Sequence, residues 1–519
     1  MLVENPLYTA LKRIQTRPLR ILSLTIVEVI SIVIVYFIIW IISSSSELSD
    51  SEQFFKHIGR NFAIAMLVGQ YIVLVIYGTF SIETRFVRDR ISEIINFHRL
   101  TPVSPQNLIS GYVFGQSSDA IILWCILFVS GIIGVLSGGI SFSQYLSSSI
   151  LVCMCAAFFY LFATWSGLAK PLTLKFGARQ TWGFATLLSY IIIGWCGDLS
   201  YLSPFPAMWT IIGDGDYFFA PLPTTFVYFF GFSMPTIFYS MLLWITFGFI
   251  AFFSSKRKIF SEDSPALSKK EILWLYGALA FIITGRFHGV YTNKLQSIPS
   301  LYRVPSIETF LTIGNSFLIF TAFIILLFSI PKRINLRRFF IKLQMKKTIA
   351  WNQDDAPSLT LTKFLAMICV AFQIIMDFLI TLRISYVQKI TIPYADIFLQ
   401  IVFFSISIFF TIFLIEGFRM RFAKNSDSIP ALIIFTWFFV IPFVTLLYVC
   451  QKNMKAPYLA VLSPTNFLMP VFLKKFSEET PSFSIIAGFT LLVIATYLSF
   501  LFWKNSRKIF EQKLFEIKG

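Results

Sequence analysis

Long apolar runs alternate with polar loops along the whole chain. A bilayer core of about 30 Å is crossed by roughly 20 helical residues, and about twelve runs reach or approach that length. They lie near residues 21–42, 61–80, 119–137, 148–168, 181–197, 236–254, 272–285, 309–330, 364–383, 396–415, 430–450 and 483–503. The seventh is short enough to be re-entrant instead. The pattern predicts an all-α polytopic membrane protein with about 12 transmembrane helices.

The charge of the loops alternates in step with the apolar runs. Most of the 43 Lys and Arg residues fall in every second loop. The densest basic runs lie at 12–20, 256–258, 332–347 and 504–508. By contrast, the loop 198–235 has three Asp residues and no Lys or Arg. Because basic loops stay in the cytoplasm, we expect both termini to be cytoplasmic, in a plasma membrane of the bacterial inner-membrane type.

Composition supports the same class of protein. The chain is 56% hydrophobic and only 13% charged, far from a soluble norm. Its formal net charge of +17 is spread over many short loops. Such a distribution favours contact with anionic lipid headgroups and forms no single basic face for nucleic acid. We therefore expect membrane lipids, and no nucleic acid, among the partners.

The chain divides into two predicted halves, 1–260 and 261–519, at the polar stretch Ser-Glu-Asp-Ser-Pro. Each half has six predicted spans and a long basic cytoplasmic segment after the second span, 81–118 and 331–363. Each also has Leu-Ser-Pro before its last span and Arg-Lys-Ile-Phe after it. These recurrences predict a duplicated six-span unit in parallel orientation.

The N-terminal segment 5–20 precedes the first span. Leu7, Leu11 and Ile14 fall on one helical stripe, with the basic residues off it. Such a helix is expected to lie in the membrane interface.

The segment 83–100 has a second apolar stripe, which is expected to leave Arg85, Arg88, Arg90 and Glu93 free for a partner. The stripe consists of Val87, Ile91, Ile94 and Ile95. Thr101-Pro102 is predicted to end this helix, and Ser104-Pro105 to begin the next. A helix, a proline break and a second helix entering the membrane would form a stiff lever on the cytoplasmic side.

The stretch from Glu83 to Gly111 resembles the cytoplasmic loop of ABC-2-type ABC transporter permeases. The matching residues are Glu83, Glu93, Thr101, Pro102, Ser104 and Gly111, and Asn5-Pro6 is similar to the family's N-terminal elbow. Ile91-Ser92 and Gly111-Tyr112 depart from the family's Gly-Thr and Gly-Lys, and twelve spans are twice its usual unit. The resemblance implies that the loop couples the permease to a nucleotide-binding ATPase subunit.

A phosphate-binding loop of the form Gly-x-x-x-x-Gly-Lys-Ser/Thr does not occur in the sequence. ATP and Mg are therefore expected on a separate partner subunit, and no catalytic, cofactor-binding or metal-ligating residue is predicted on this chain. The chain is expected not to be an enzyme itself.

Three carboxylates lie in or beside the apolar runs: Glu28, Asp119 and Asp377. A carboxylate inside a bilayer is costly and often marks a transport path. Asp377 lies deepest, whereas Asp119 is close to the predicted cytoplasmic surface and solvation there is its simpler explanation.

These features favour the membrane subunit of an ATP-driven transporter, an exporter in our interpretation. One chain would bind two ATPase subunits, or two chains would form a homodimer. An ion-driven 12-span secondary transporter is an alternative, with Glu28 and Asp377 as proton sites. A membrane-embedded lipid-linked glycosyltransferase is another, since Glu47, Asp50 and Glu52 lie in an outer loop.

Overall fold

The structure is a computed structural model of the chain. It describes residues 5–44, 51–100, 103–137, 139–169, 201–212, 226–261, 264–265, 267–297, 318, 321, 325, 333–345, 358–385, 394–422, 428–436 and 483–516. Thr101 and Pro102, the span 181–197 and most of the spans 309–330 and 430–450 lie outside these residues.

The chain divides into two compact units. The first contains residues 1–227 and 234–262, and the second contains residues 228–233 and 263–519. The boundary at Glu262 falls in the polar stretch where the sequence places the division. In order, the first unit's helices are α1 Pro6–Gln15, α2 Pro18–Ser44, α3 Ser51–Tyr71, a π turn Ile72–Tyr77, α4 Gly78–Ile91, α5 Ile94–Leu100, α6 Pro105–Gln116, α7 Ser118–Leu136, α8 Phe142–Ala169, α9 Phe205–Ile212 and α10 Thr236–Phe260.

A small β-hairpin precedes α10, in a region that the sequence predicts only as an outer loop. Strands β1 Phe226–Phe229 and β2 Phe232–Pro235 pair through a turn at Phe230 and Gly231, both with positive φ. The described residues are thus almost all helical, with this hairpin as the departure from an all-α fold. The helices of the second unit are α11 Lys269–Ser297, α12 Arg333–Gln344, α13 Leu359–Ser385, α14 Tyr394–Arg421, α15 Ser428–Phe435 and α16 Phe483–Glu516.

Six helices in the described residues are long and apolar enough to cross a membrane. They are Pro18–Ser44, Glu52–Ile91, Ser118–Leu136, Phe142–Ala169, Thr236–Phe260 and Lys269–Gly289. The last contains the run 272–285, which looks short in the sequence. It lies inside α11, a continuous helix of 29 residues, because a helix also accommodates the polar residues that flank the apolar run.

The same helix pairings recur in the two units. In the first unit α8 packs on α10, α2 on α7, and α7 on α8; in the second, α14 packs on α16, α11 on α13, and α13 on α14. These pairs join predicted spans 4 and 6, 1 and 3, and 3 and 4 of each half. The recurrence is what a duplicated six-span unit would give.

The core of the first unit is continuous from the candidate membrane helices into the segment 78–116, which begins in the last part of the candidate span Glu52–Ile91. Leu67 in α3, Phe86 in α4, Tyr112 in α6 and Val152 in α8 belong to one buried cluster. Segment 78–116, comprising α4, α5 and α6, is therefore part of the packed unit, and we call it the connecting segment.

Candidate functional site

Helix α1 packs on α6 of the connecting segment through two glycines one turn apart. A Cβ on Gly115 would lie 2.8 Å from the Leu11 Cβ, and one on Gly111 would lie 3.0 Å from the Asn5 Nδ2. Small residues at this spacing let two helices approach closely. Asn5 caps α1 and its Nδ2 donates to the Asn107 carbonyl at 2.5 Å.

This contact partly corrects the predicted interfacial helix. Leu11 is buried and Leu7 half-buried against α6, whereas Ile14 is 40% exposed. The predicted helix over 5–20 is also broken after Gln15, since α2 begins at Pro18. The stripe is real, but protein covers much of it because the glycines of α6 leave room.

The predicted stripe of the connecting segment is interrupted. Helix α4 ends at Ile91, and Glu93 has a φ of 57°, in the left-handed region. The chain therefore turns before α5, and the stripe does not continue along a single helix. Ile95 is buried, but Ile91 and Ile94 are exposed, so the prediction that the whole stripe packs on the protein is wrong.

Glu83 lies inside the packed unit. Its side chain is 2% exposed, and the Ser166 hydroxyl of α8 donates to its Oε1 at 2.6 Å. One residue further, Gly167 leaves room for α4, since a Cβ there would lie 2.8 Å from the Phe86 Cβ. The Arg90 guanidinium also donates to the Gly167 carbonyl at 2.9 Å. Glu83 therefore ties α4 to the end of α8 and would support a docking surface without touching a partner.

A second buried carboxylate, which sequence reasoning missed, joins α4 to α6. Asp89 accepts from the Arg85 Nε at 3.0 Å and from the Tyr112 hydroxyl at 2.6 Å. The His98 ring lies edge-on to Tyr112, with 6.4 Å between the ring centroids. Burial lowers the pKa of His98, and the charge of Asp89 partly opposes this. Burial also raises the pKa of the Tyr112 phenol. The spacing Arg85-x-x-x-Asp89 was the available sequence signal.

Helix α5 is tied to the end of α10. The Arg99 Nε donates to the Ile259 carbonyl at 2.6 Å, and its Nη2 to the Lys258 carbonyl at 3.3 Å. These carbonyls belong to the last turn of α10, where helix carbonyls lack intrahelical partners. The connecting segment thus contacts the same-side ends of α8 and α10 as well as α1.

The outer side of the connecting segment combines apolar and charged side chains. Arg88 and Glu93 are exposed, as the sequence predicts. Apolar side chains lie beside them, with Phe97 65% and Leu100 87% exposed. We call the exposed residues Arg88, Ile91, Glu93, Ile94, Phe97 and Leu100 the tip patch.

Ser104 caps α6 by accepting from the Asn107 N–H at 3.3 Å, with Pro105 in the first turn, which confirms the predicted helix start.

Asp119 lies at the start of α7 and is part of an ion pair. Its side chain is 1% exposed, and the Arg20 guanidinium at the start of α2 donates to Oδ2 at 2.8 Å. The Tyr77 hydroxyl donates to the same oxygen at 2.6 Å. The interpretation that Asp119 is simply solvated is therefore wrong; tertiary packing buries it between α2, the π turn and α7.

A tyrosine of α8 forms a hydrogen bond with the backbone of the π turn before α4. The Tyr160 hydroxyl donates to the Leu74 carbonyl at 2.9 Å. A π turn leaves backbone groups without their usual helical partners, and this hydroxyl serves one of them. Just before the turn, the buried Gln70 amide donates to the Tyr145 hydroxyl at 2.7 Å and accepts from the Trp124 indole at 3.0 Å.

The other two predicted path residues belong to different units. Glu28 is half-buried on α2, with no hydrogen-bond or ion-pair partner among the described residues. Asp377 lies in α13 of the second unit, and its side chain is outside the description. A transport role for Glu28, Asp119 and Asp377 stays a prediction.

The second unit contains a buried carboxylate that the sequence analysis overlooked. Glu416, near the end of α14, is 1% exposed. It accepts from the Ser358 N–H at 2.8 Å and the Trp503 indole at 3.2 Å. The positive charge of Lys269 favours its ionised form. The available sequence signal for this carboxylate was the pair Glu416-Gly417 at the end of an apolar run. Like Asp119, Glu416 joins helix ends within its own unit.

The described residues define a helical protein with several helices suited to cross a membrane. Among them, no group of three or more His, Cys, Asp or Glu is placed to hold a metal ion. Comparison with known protein families, with curated proteins and with solved structures gave no match.

Proposed function

We propose that this chain is the membrane subunit of an ATP-binding-cassette transporter, working as an exporter and powered by a separate ATPase. The observation that carries the proposal is the tip patch, an exposed apolar and charged surface on a segment that is otherwise packed into the membrane unit. Solvent-exposed apolar clusters rimmed by charges mark interaction sites.

The attachment of the tip patch supports a role in transmitting force. Hydrogen bonds from Arg90 and Arg99 reach the ends of α8 and α10, and those of Asp89 hold α4 to α6. A push on the patch would therefore reach several helices at once. Movement of packed helices against each other is a common way in which a local contact produces a large conformational change.

Partner capture in the native cell tests this proposal. A photoactivatable phenylalanine analogue at Phe97 or Leu100 is expected to cross-link a soluble nucleotide-binding protein. The captured partner should then be labelled by azido-ATP. Phe249 on α10 is the matched control, since it is 59% exposed on a candidate membrane helix and should capture no such protein.

Charge reversal gives a second readout. Glu93→Lys is expected to weaken partner co-purification more than Glu93→Gln, because reversal adds repulsion where neutralisation only removes attraction. Membrane insertion should be unchanged in both variants. Failure of both tip positions to capture a nucleotide-binding protein would overturn the proposal, as would transport by the purified chain alone.

A further inference from the structure

An apolar groove runs along the surface of the first unit between α8 and α10. Its volume is about 300 Å³. Ala157 and Leu161 lie on the α8 side, and Met241, Gly248 and Phe252 on the α10 side. Every residue that lines it is apolar or aromatic. Both helices are candidate membrane spans, so a groove between them would lie at the depth of the bilayer hydrocarbon.

The glycine on α10 keeps the groove open. The nearest atoms to a Cβ on Gly248 would be Leu161 Cδ1 and Phe158 Cδ2, both at 3.7 Å. This is ordinary contact distance, so close helix packing does not require glycine here. A longer side chain at position 248 would occupy the groove.

A cation follows the groove along α10. Lys256 lies one helical turn after Phe252 and two turns after Gly248, so it continues the face of α10 that lines the groove. Lys256 is half-buried and has no hydrogen-bond or ion-pair partner among the described residues. The last turn of α10 also contains Arg257 and Lys258, which raises the local positive charge.

The dimensions fit one lipid chain. From Met241 to Phe252 the groove follows α10 for about 16 Å at 1.5 Å per residue, roughly half of a 30 Å hydrocarbon core. One leaflet's acyl chain covers that depth, and its headgroup then lies at the level of Lys256. A phosphate there would meet an unpaired ammonium group.

We propose that the groove between α8 and α10 is a binding site for an anionic phospholipid. One acyl chain occupies the groove beside Gly248, and the headgroup phosphate contacts Lys256. The site is independent of the ATP-driven function proposed above, since neither the groove nor Lys256 belongs to the tip patch.

Photolabelling of the full-length chain in mixed vesicles tests this site. Phosphatidylglycerol or phosphatidylcholine with a diazirine on the acyl chain is added at equal amounts to vesicles of unlabelled phosphatidylcholine. In the unmodified protein, peptides from α8 and α10 are expected to carry several-fold more phosphatidylglycerol than phosphatidylcholine adduct. Lys256→Gln should reduce phosphatidylglycerol labelling to the phosphatidylcholine level.

Filling the groove should remove labelling with both lipids. Gly248→Leu is expected to lower it several-fold, and Ala157→Leu, at an exposed position on the opposite wall, should do the same without crowding a helix contact. The matched controls are Gly277→Leu, where a Cβ meets nothing within 4 Å, and Lys504→Gln, an exposed cation on α16. Both should label like the unmodified protein.

Two results would overturn the proposal. Equal labelling by the two lipids in the unmodified protein would mean that only unselective surrounding lipid contacts these helices. Unchanged labelling in folded Gly248→Leu and Ala157→Leu would mean that the acyl chain does not occupy the groove.

Discussion

At the scale of single residues, burial decides what the ionisable groups do. Asp119 and Asp89 are both buried carboxylates that accept a tyrosine hydroxyl and an arginine N–H. A buried charge is tolerated when it is paired and hydrogen-bonded. These acids therefore hold helices together in the structure, whatever further part they play.

The pair Arg20–Asp119 is asymmetric, and the asymmetry makes a prediction. The Arg20 side chain is 40% exposed and that of Asp119 is 1% exposed. Arg20→Gln should lower the free energy of unfolding more than Asp119→Asn does, because it leaves the Asp119 carboxylate buried without its cation. In Asp119→Asn, the Arg20 guanidinium loses its partner but can reach water. We expect a cost of about 2–3 kcal/mol for Arg20→Gln, with partial recovery in the double variant.

Thermal unfolding in detergent, read as a double-mutant cycle, measures this difference. Lys56→Gln is the control, because the Lys56–Glu52 pair is exposed on both sides and such pairs contribute little. A larger loss from Asp119→Asn than from Arg20→Gln would contradict the argument.

His98 predicts a pH dependence of the connecting segment. Its folded pKa is lowered by burial, so folding favours the neutral ring. The resulting stabilisation is complete above its ordinary pKa of 6.5 and is lost as pH falls through the lower folded value. The protection factors of the amides in residues 94–100, which are corrected for the intrinsic exchange rate at each pH, should therefore fall below about pH 6.

The variant His98→Gln isolates that effect. It should remove the acid-dependent fall in the protection factors at 94–100, while those of α8, which has no His in its range, stay unchanged. The same fall in the variant would show that another group is responsible.

At the scale of elements, close helix approach depends on where glycines lie. Gly115→Ala should destabilise by about 1–3 kcal/mol, since the added Cβ would lie 2.8 Å from that of Leu11. Gly277→Ala is the matched control in an open position and should be neutral or stabilising by up to about 1 kcal/mol. Hydrogen exchange of α1 should rise only in the first variant.

At the scale of the whole molecule, the loop charges predict the orientation in the membrane. In intact cells, an impermeant thiol reagent should label a cysteine at Ser200, in the acidic loop, and not one at Ser261, beside the basic end of α10. Both are introduced into a chain without its six native cysteines. Labelling of position 261 from outside would overturn the predicted orientation.

Sequence periodicity by itself was enough to predict several of the long apolar helices in the described residues. In lipid each backbone N–H and C=O must be satisfied within its own helix, so a run of apolar residues of the right length specifies the element locally. The start of α6 at Ser104-Pro105 followed in the same way, because capping depends on neighbouring residues. The helices α2 and α8 contain the runs predicted for them, and α7 ends one residue before the end of its predicted run.

Only the tertiary structure decided which polar groups meet. Arg20 and Asp119 are 99 positions apart, and Ser166 and Glu83 are 83 apart, so no local pattern links them. The break at Glu93 likewise rearranged a stripe that seemed continuous in the sequence. The physical reason is that helix formation depends on neighbours along the chain, whereas pairing and burial depend on which helices pack together.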